Sequence, residues 1–403
     1  MKESNRVLLA LVLAIALGGA IAASGNAGWL RAADLVSPLG VLWVNAIRMT
    51  VIPLVIALLI TGVSSAAGSA IGRLGARTVA AFVLLGSFMA VTMIPLLAAA
   101  FAMMPVPNPR PELPPGAAEA ARQLSAGGEA QTFAGWLTGL IPANPISAAA
   151  NGSMLQLVLF TLLFAAALSR VKDRQPVLGF FAGVAGAMLV LVQWIILVAP
   201  VGVFALVLPL AARAGAALVG AIGFYIVVYS LGCILAMLLL SLAAALAGRI
   251  PVARYARALL PSQLIAFSSS SSIATLPSVV KSAEQLEIPA PVIGFVLPLA
   301  ASLFKAAAPV SWAAGALFVG RLYGVPLGFP ALTAVALVAV FLSFGVPGIP
   351  RGAFILLTPL FVALGLPVEG IGILIAVDAI PDTFATALNV SGHLAAAALV
   401  ARS

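Results

Sequence analysis

Eight stretches of this chain, at about 7–25, 41–63, 79–104, 153–169, 177–212, 217–247, 290–320 and 368–401, run almost unbroken in apolar residues. About 20 such residues in a helix cross the hydrocarbon core of a bilayer. Charged residues make up 8% of the chain, against about 25% in a soluble domain, too few to cover a water-facing surface. The reading is therefore an all-α polytopic membrane protein. Two further apolar stretches, about 252–280 and 327–366, are interrupted by Ser, Gly and Pro and need a different account.

The formal net charge of +9 invites a nucleic-acid partner, but the basic residues stand singly between apolar runs, and none is expected. Their placement sets topology instead. With the N-terminus inside, Lys2, Arg6, Arg73, Arg77, Arg170, Lys172, Arg174, Arg249, Arg254, Arg257, Lys281 and Arg402 fall on the cytoplasmic side. Arg31, Arg110, Arg122, Arg213 and Arg321 fall outside, and Arg48, Lys305 and Arg351 lie within apolar runs. Twelve against five fits a multi-pass protein of the inner membrane with both termini cytoplasmic. The first run follows "MKESNR" as a secretory signal would, yet the alternation of sides counts it as a span.

The chemical inventory is short. A lone histidine, His393, rules out a zinc-binding HExxH helix, and no lysine follows a glycine as a phosphate-binding loop requires. No G-x-S-x-G elbow occurs. A Ser–Lys dyad on Lys305 is the nucleophilic arrangement left open; no motif supports it, and the chain is read as a non-enzyme. The one cysteine, Cys233, excludes a disulfide within the chain and reads as a membrane-buried thiol.

"LIAFSSSSSIATLP" (264–277) puts five serines in an apolar segment. A straight helix would show some of those hydroxyls to lipid, and non-helical backbone survives at membrane depth only where protein or a cavity lines it. The stretch reads as two half-helices meeting at a polar tip, entering from the cytoplasmic side. "LSFGVPGIPRGAFILLTP" (342–359) repeats the design from the other face, broken by Gly345, Pro347, Gly348 and Pro350. Two interrupted segments from opposite faces mark the inverted repeats of secondary transporters. A pair of kinked spans is the plainer alternative, and the serine run weighs against it.

Several motifs, in order along nearly the whole chain, resemble the glutamate transporter family of dicarboxylate/amino acid:cation symporters. They are "VLWVNAIRMTVIPLVIALLITGVSS" (41–65), "IPANPISAAANGSMLQLVLF" (141–160), "APVGVFAL" (199–206), the serine tip, the second hairpin and "VDAIPDTFATALNVSGHL" (377–394). The resemblance implies eight transmembrane helices plus two re-entrant hairpins, assembled as a homotrimer in the lipid bilayer. It implies a scaffold from 1–70 and 141–215, and a transport part from 71–104 and 216–403 that moves as an elevator. Residues 105–140 would be an external loop, polar and Pro- and Ala-rich in its 105–134 part.

The family's ion chemistry is missing. Where its seventh helix carries Asn-Met-Asp-Gly-Thr, this chain reads Phe304, Lys305, Ala306, Ala307 and Ala308. In the eighth helix Asp378, Asp382, Thr386 and Asn389 match, but Ala385 replaces the arginine that binds a side-chain carboxylate and His393 replaces a sodium-binding aspartate. Lys305 is thus expected to be a tethered cation where sodium would bind, neutralising Asp382 or Asp378. The alternatives are a structural ion pair or snorkelling to the interface. His393 either carries a coupling proton or is merely solvated.

By resemblance, a solute would be held by Ser270, Ser271 and Ser272 of the first tip, Gly348 and Ile349 of the second, Asp382 against an α-ammonium, Thr386 and Asn389. Arg351, with a fork suited to carboxylate, either binds the solute or gates the outer vestibule. The expected function is elevator transport of a small carboxylate-bearing solute, an amino acid or C4-dicarboxylate. Lys305 and His393 put sodium coupling in doubt, so that coupling is absent or passes to protons, and no other cofactor or metal is expected. The alternatives are a conventional sodium- or proton-coupled symporter, and a transport-inactive sensor or anion channel on the same fold.

Overall fold

The computed structural model describes residues 3–67, 72–106, 110, 141–150, 154–214, 216–345 and 352–402. Most of the expected 105–140 loop lies outside them. The described residues form helices and no strand. In chain order these are α1 (Glu3–Ser24), α2 (Ala27–Asp34), α3 (Ser37–Ala67), α4 (Gly72–Ala102), α5 (Pro145–Ala150), α6 (Met154–Leu168), α7 (Gln175–Leu197), α8 (Ala199–Ala214) and α9 (Ala216–Ala247). Then come α10 (Val252–Ser269), α11 (Ser272–Gln285), α12 (Ala290–Leu303), α13 (Ala308–Tyr323), α14 (Phe329–Leu342), α15 (Gly352–Ile355), α16 (Thr358–Ala363), α17 (Glu369–Val377) and α18 (Pro381–Val400).

Among the described residues, six helical stretches are long and apolar enough to cross a membrane: Ala27–Thr61, Leu74–Ala102, Gln175–Leu197, Ala217–Ala247, Ala290–Tyr323 and Pro381–Val400. Leu9–Ser24, Leu159–Leu168, Ala199–Arg213 and Phe329–Leu342 are shorter apolar helices. The expected polytopic membrane character holds.

Three apolar runs that read as continuous are each broken, and each break precedes a proline. The run 177–212 stops at Val198, 290–320 at 304–307, and 368–401 at 378–380. Pro200, Pro309 and Pro381 occupy the first or second position of the helix that follows. There the missing N–H costs nothing, whereas in mid-helix the ring would strike the carbonyl four residues back.

The first break is met from α3: the Trp43 indole donates to Ile195 O at 2.9 Å. Gly202 lets the ring lie flat there, since a Cβ on it would fall 2.2 Å from Trp43 Cδ2.

Packing sorts the helices into two sets. In one, α3 packs against α6, α7 and α8, and α8 against α1. In the other, α18 is surrounded by α4, α9, α10, α11 and α12, while α13 packs on α4, α9 and α14. Contacts of α17 with α1, α3 and α8 join the sets. Helices α13 and α18 are buried along most of their length, whereas α7 shows Phe180, Trp194 and Leu197 outward.

Candidate functional site

The serine stretch folds as two half-helices, as expected. Helix α10 ends at Ser270, which takes a left-handed conformation at φ 49° and donates its N–H to Ala266 O at 2.9 Å. Ser271 then caps α11, its Oγ accepting from Ala274 N–H at 3.2 Å. Serine suits the start of α11, because its hydroxyl can replace a backbone partner there. The arms are joined by hydroxyl contacts: Ser262 meets Ser278 and Ser282 at 2.9 Å each, and Ser282 donates to Ala258 O at 2.6 Å.

Hairpin and α18 meet through two contacts that the sequence reading did not single out. Gln263 Nε2 donates to Ser391 Oγ at 3.0 Å, and Phe267 packs edge-on against Phe384 with ring centroids 4.9 Å apart. Phe267 lies one turn before the tip and Phe384 two residues after Asp382, so these rings bring the tip to the N-terminal turn of α18. An aromatic at 267 just before a serine run was the available signal.

Along α18, Asp382, Thr386, Asn389 and His393 follow i, i+4, i+7, i+11 and share one face. Thr386 and His393 are buried, Asp382 and Asn389 partly so. Asp378 lies in the break between α17 and α18, buried, where its charge reaches Tyr225, Tyr229 and Cys233 of α9. Those tyrosines were also missed, because their apolar surroundings make them look like core. Cys233 is a buried free thiol, as expected. Gly348, Ile349 and Arg351 lie outside the described residues.

The break between α12 and α13 sits against this face. Lys305 Nζ donates to Ala301 O at 3.0 Å. In an unbroken helix that carbonyl would receive the N–H of residue 305 itself; the side chain takes over the bond the backbone gave up. Lys305 is buried, at 9% exposure, which argues against snorkelling. The charge of Asp382 acts on it.

Across the break, Asn389 Oδ1 accepts from Ala307 N–H at 2.9 Å and His393 Nε2 bonds Phe304 O at 3.1 Å. His393 is wholly buried, which removes the solvated alternative. The Phe304 ring stacks on Phe82 of α4, 4.7 Å apart and parallel within 2°. A cation held by hard oxygen ligands fits this environment poorly: the side chains from 306 to 308 are methyl groups, and Lys305, Asn389 and His393 already meet three of the opened backbone groups. Among the described residues no three His, Cys, Asp or Glu gather as metal ligands.

Sequence comparison shows what the chain is similar to. Residues 4–403 match the profile of the sodium:dicarboxylate symporter family. The proton/sodium-glutamate symport protein of Bacillus subtilis (strain 168) is 29% identical over 375 residues, 91% of this chain and 85% of the relative. The proton/glutamate-aspartate symporter of Escherichia coli (strain K12) is 29% identical over 415 residues, 98% of this chain and 92% of the relative. The neutral amino acid transporter B(0) of Oryctolagus cuniculus is 31% identical over 438 residues, 98% and 78% of the two chains.

Proposed function

This chain belongs to the sodium:dicarboxylate symporter family, a family of membrane transporters and not enzymes, and from that premise we propose that it carries a carboxylate-bearing amino acid with Lys305 in place of a bound sodium ion. The supporting observation is the Lys305 Nζ–Ala301 O bond at the C-terminal end of α12. Half-helix C-termini and unwound carbonyls are where transporters of this kind hold cations, because the carbonyl dipoles converge there. An ammonium on a four-carbon stem supplies the same charge without dissociating.

The solute would sit between the first tip and α18. Its carboxylate would face the N-terminus of α11 and the hydroxyls of Ser270, Ser271 and Ser272, where the helix dipole favours an anion. Thr386 and the remaining donors of Asn389 would share it. Asp382 would meet the α-ammonium. Gly348, Ile349 and Arg351 would close the site from the second hairpin, Arg351 as a carboxylate fork. Asp378 would act behind Asp382 through the tyrosines of α9.

At larger scale we assign eight spans and two re-entrant hairpins to an inner-membrane homotrimer with cytoplasmic termini. Residues 1–70 and 141–215 would stay fixed while 71–104 and 216–403 move as an elevator; the two packing sets of helices support that division. A conventional coupled symporter is the second reading, favoured by the names of the bacterial relatives, which include proton and sodium.

A thermal-shift screen of the purified protein separates the tethered cation from a sodium-coupled symporter. Succinate, L-glutamate and L-serine are each added in sodium and in choline. Equal stabilisation in both salts supports the tethered cation, and stabilisation in sodium alone restores the conventional symporter.

A further inference from the structure

The break at 304–307 is pinned from one face of α18, and the chemistry of those pins goes beyond the site described. We propose that His393 and Asn389 form a clasp that fixes the opened backbone, with His393 a positioning residue that works as a neutral hydrogen-bond donor and carries no coupling proton. It rests on the reading that this break borders the solute site.

The ring's tautomer follows from its partner. A peptide carbonyl only accepts, so the nitrogen 3.1 Å from Phe304 O must be the one bearing hydrogen. Nδ1 is buried with no hydrogen-bond partner among the described residues, in a side chain of zero exposure. A second proton there would create a buried charge with nothing to receive it.

Helices α4, α9, α10, α11 and α12 surround α18. Lys305 follows directly on Phe304, whose carbonyl the imidazole bonds.

The clasp spans both ends of the break. Asn389 holds Ala307 N–H, and His393, one turn further along the same face, holds Phe304 O. Between them Gly392 lets the opened segment come close, since a Cβ there would lie 2.5 Å from Ala306 Cβ. The stacking of Phe304 on Phe82 fixes the far side. All of these groups are protein atoms.

The chain has one histidine, so nitrogen-15 histidine labelling of the full-length protein, purified on a histidine-free tag and held in liposomes, reports on this ring alone. We expect the neutral, Nε2-protonated form throughout about pH 5.5 to 8, the range in which an unperturbed imidazole titrates. An imidazolium, or the Nδ1-protonated tautomer, anywhere in that range overturns the proposal.

The variants H393Q and H393M supply a second readout with succinate, L-glutamate and L-serine as probes. Gln can donate to Phe304 O from nearly the same place and Met cannot. Affinity is expected within about threefold of the parent for H393Q and weakened about tenfold or more for H393M. Equal loss in both overturns the clasp. A neutral Nε2-protonated ring in a protein that binds solute only in sodium would sink the Lys305 reading and leave the clasp standing.

Discussion

Lys305 is a long side chain used at short range. Its Nζ bonds a carbonyl four residues back, which holds the ammonium at the end of α12. Lys305→Met keeps the stem and removes the donor. Leaving Ala301 O unmet costs about 1–3 kcal/mol, so the melting temperature should drop and solute-induced stabilisation should vanish in choline as in sodium. Full retention of binding by this variant would assign Lys305 a purely structural role. Ser271 is a second residue whose backbone duty and proposed solute contact coincide. Ser271→Ala should destabilise the tip by about 1 kcal/mol, read as faster hydrogen exchange at the first turn of α11; unchanged exchange would show that the cap is dispensable.

Three elements in this protein end just before a proline, and at two of these breaks side chains from neighbouring helices meet the backbone groups so released. Trp43 does this at the α7–α8 break, while Asn389 and His393 do it between α12 and α13. Close approach is a condition of that arrangement. Gly392→Ala puts a methyl group 2.5 Å from Ala306 Cβ, an overlap that backbone movement must relieve. Overpacking of this kind costs about 1–3 kcal/mol. Both melting temperature and solute affinity should fall, and Ala306→Gly on the same chain should restore much of each. A double-mutant cycle by thermal unfolding checks the pair; additive losses would mean the two positions do not oppose each other.

The whole molecule divides its apolar surface between packing and exposure. Helix α18 is enclosed on all sides, while α7 turns large apolar side chains outward, which suits lipid or a second copy of the chain. If the fixed set of helices builds the homotrimer, native mass spectrometry of protein released from mild detergent should give a mass of three chains. A stable single chain under those conditions would count against the assembly.

How much of this could be read in one dimension depends on the range of the interaction. Membrane class, the first hairpin and the family all lie in local patterns: apolar run length, the serines at 268–272, and motifs in order. The three breaks were also written locally, at Pro200, Pro309 and Pro381, but lay hidden because apolar composition on both sides reads as one run. The clasp was not legible at all. Asn389 and Ala307 are 82 positions apart, His393 and Phe304 are 89, and nothing in either segment names its partner. The sequence by itself determined that this chain is a membrane transporter of its family. Only the tertiary structure decided that Lys305 ends on Ala301 and that His393 is buried against Phe304, because a polar group in a dry interior takes whichever partner packing brings within reach.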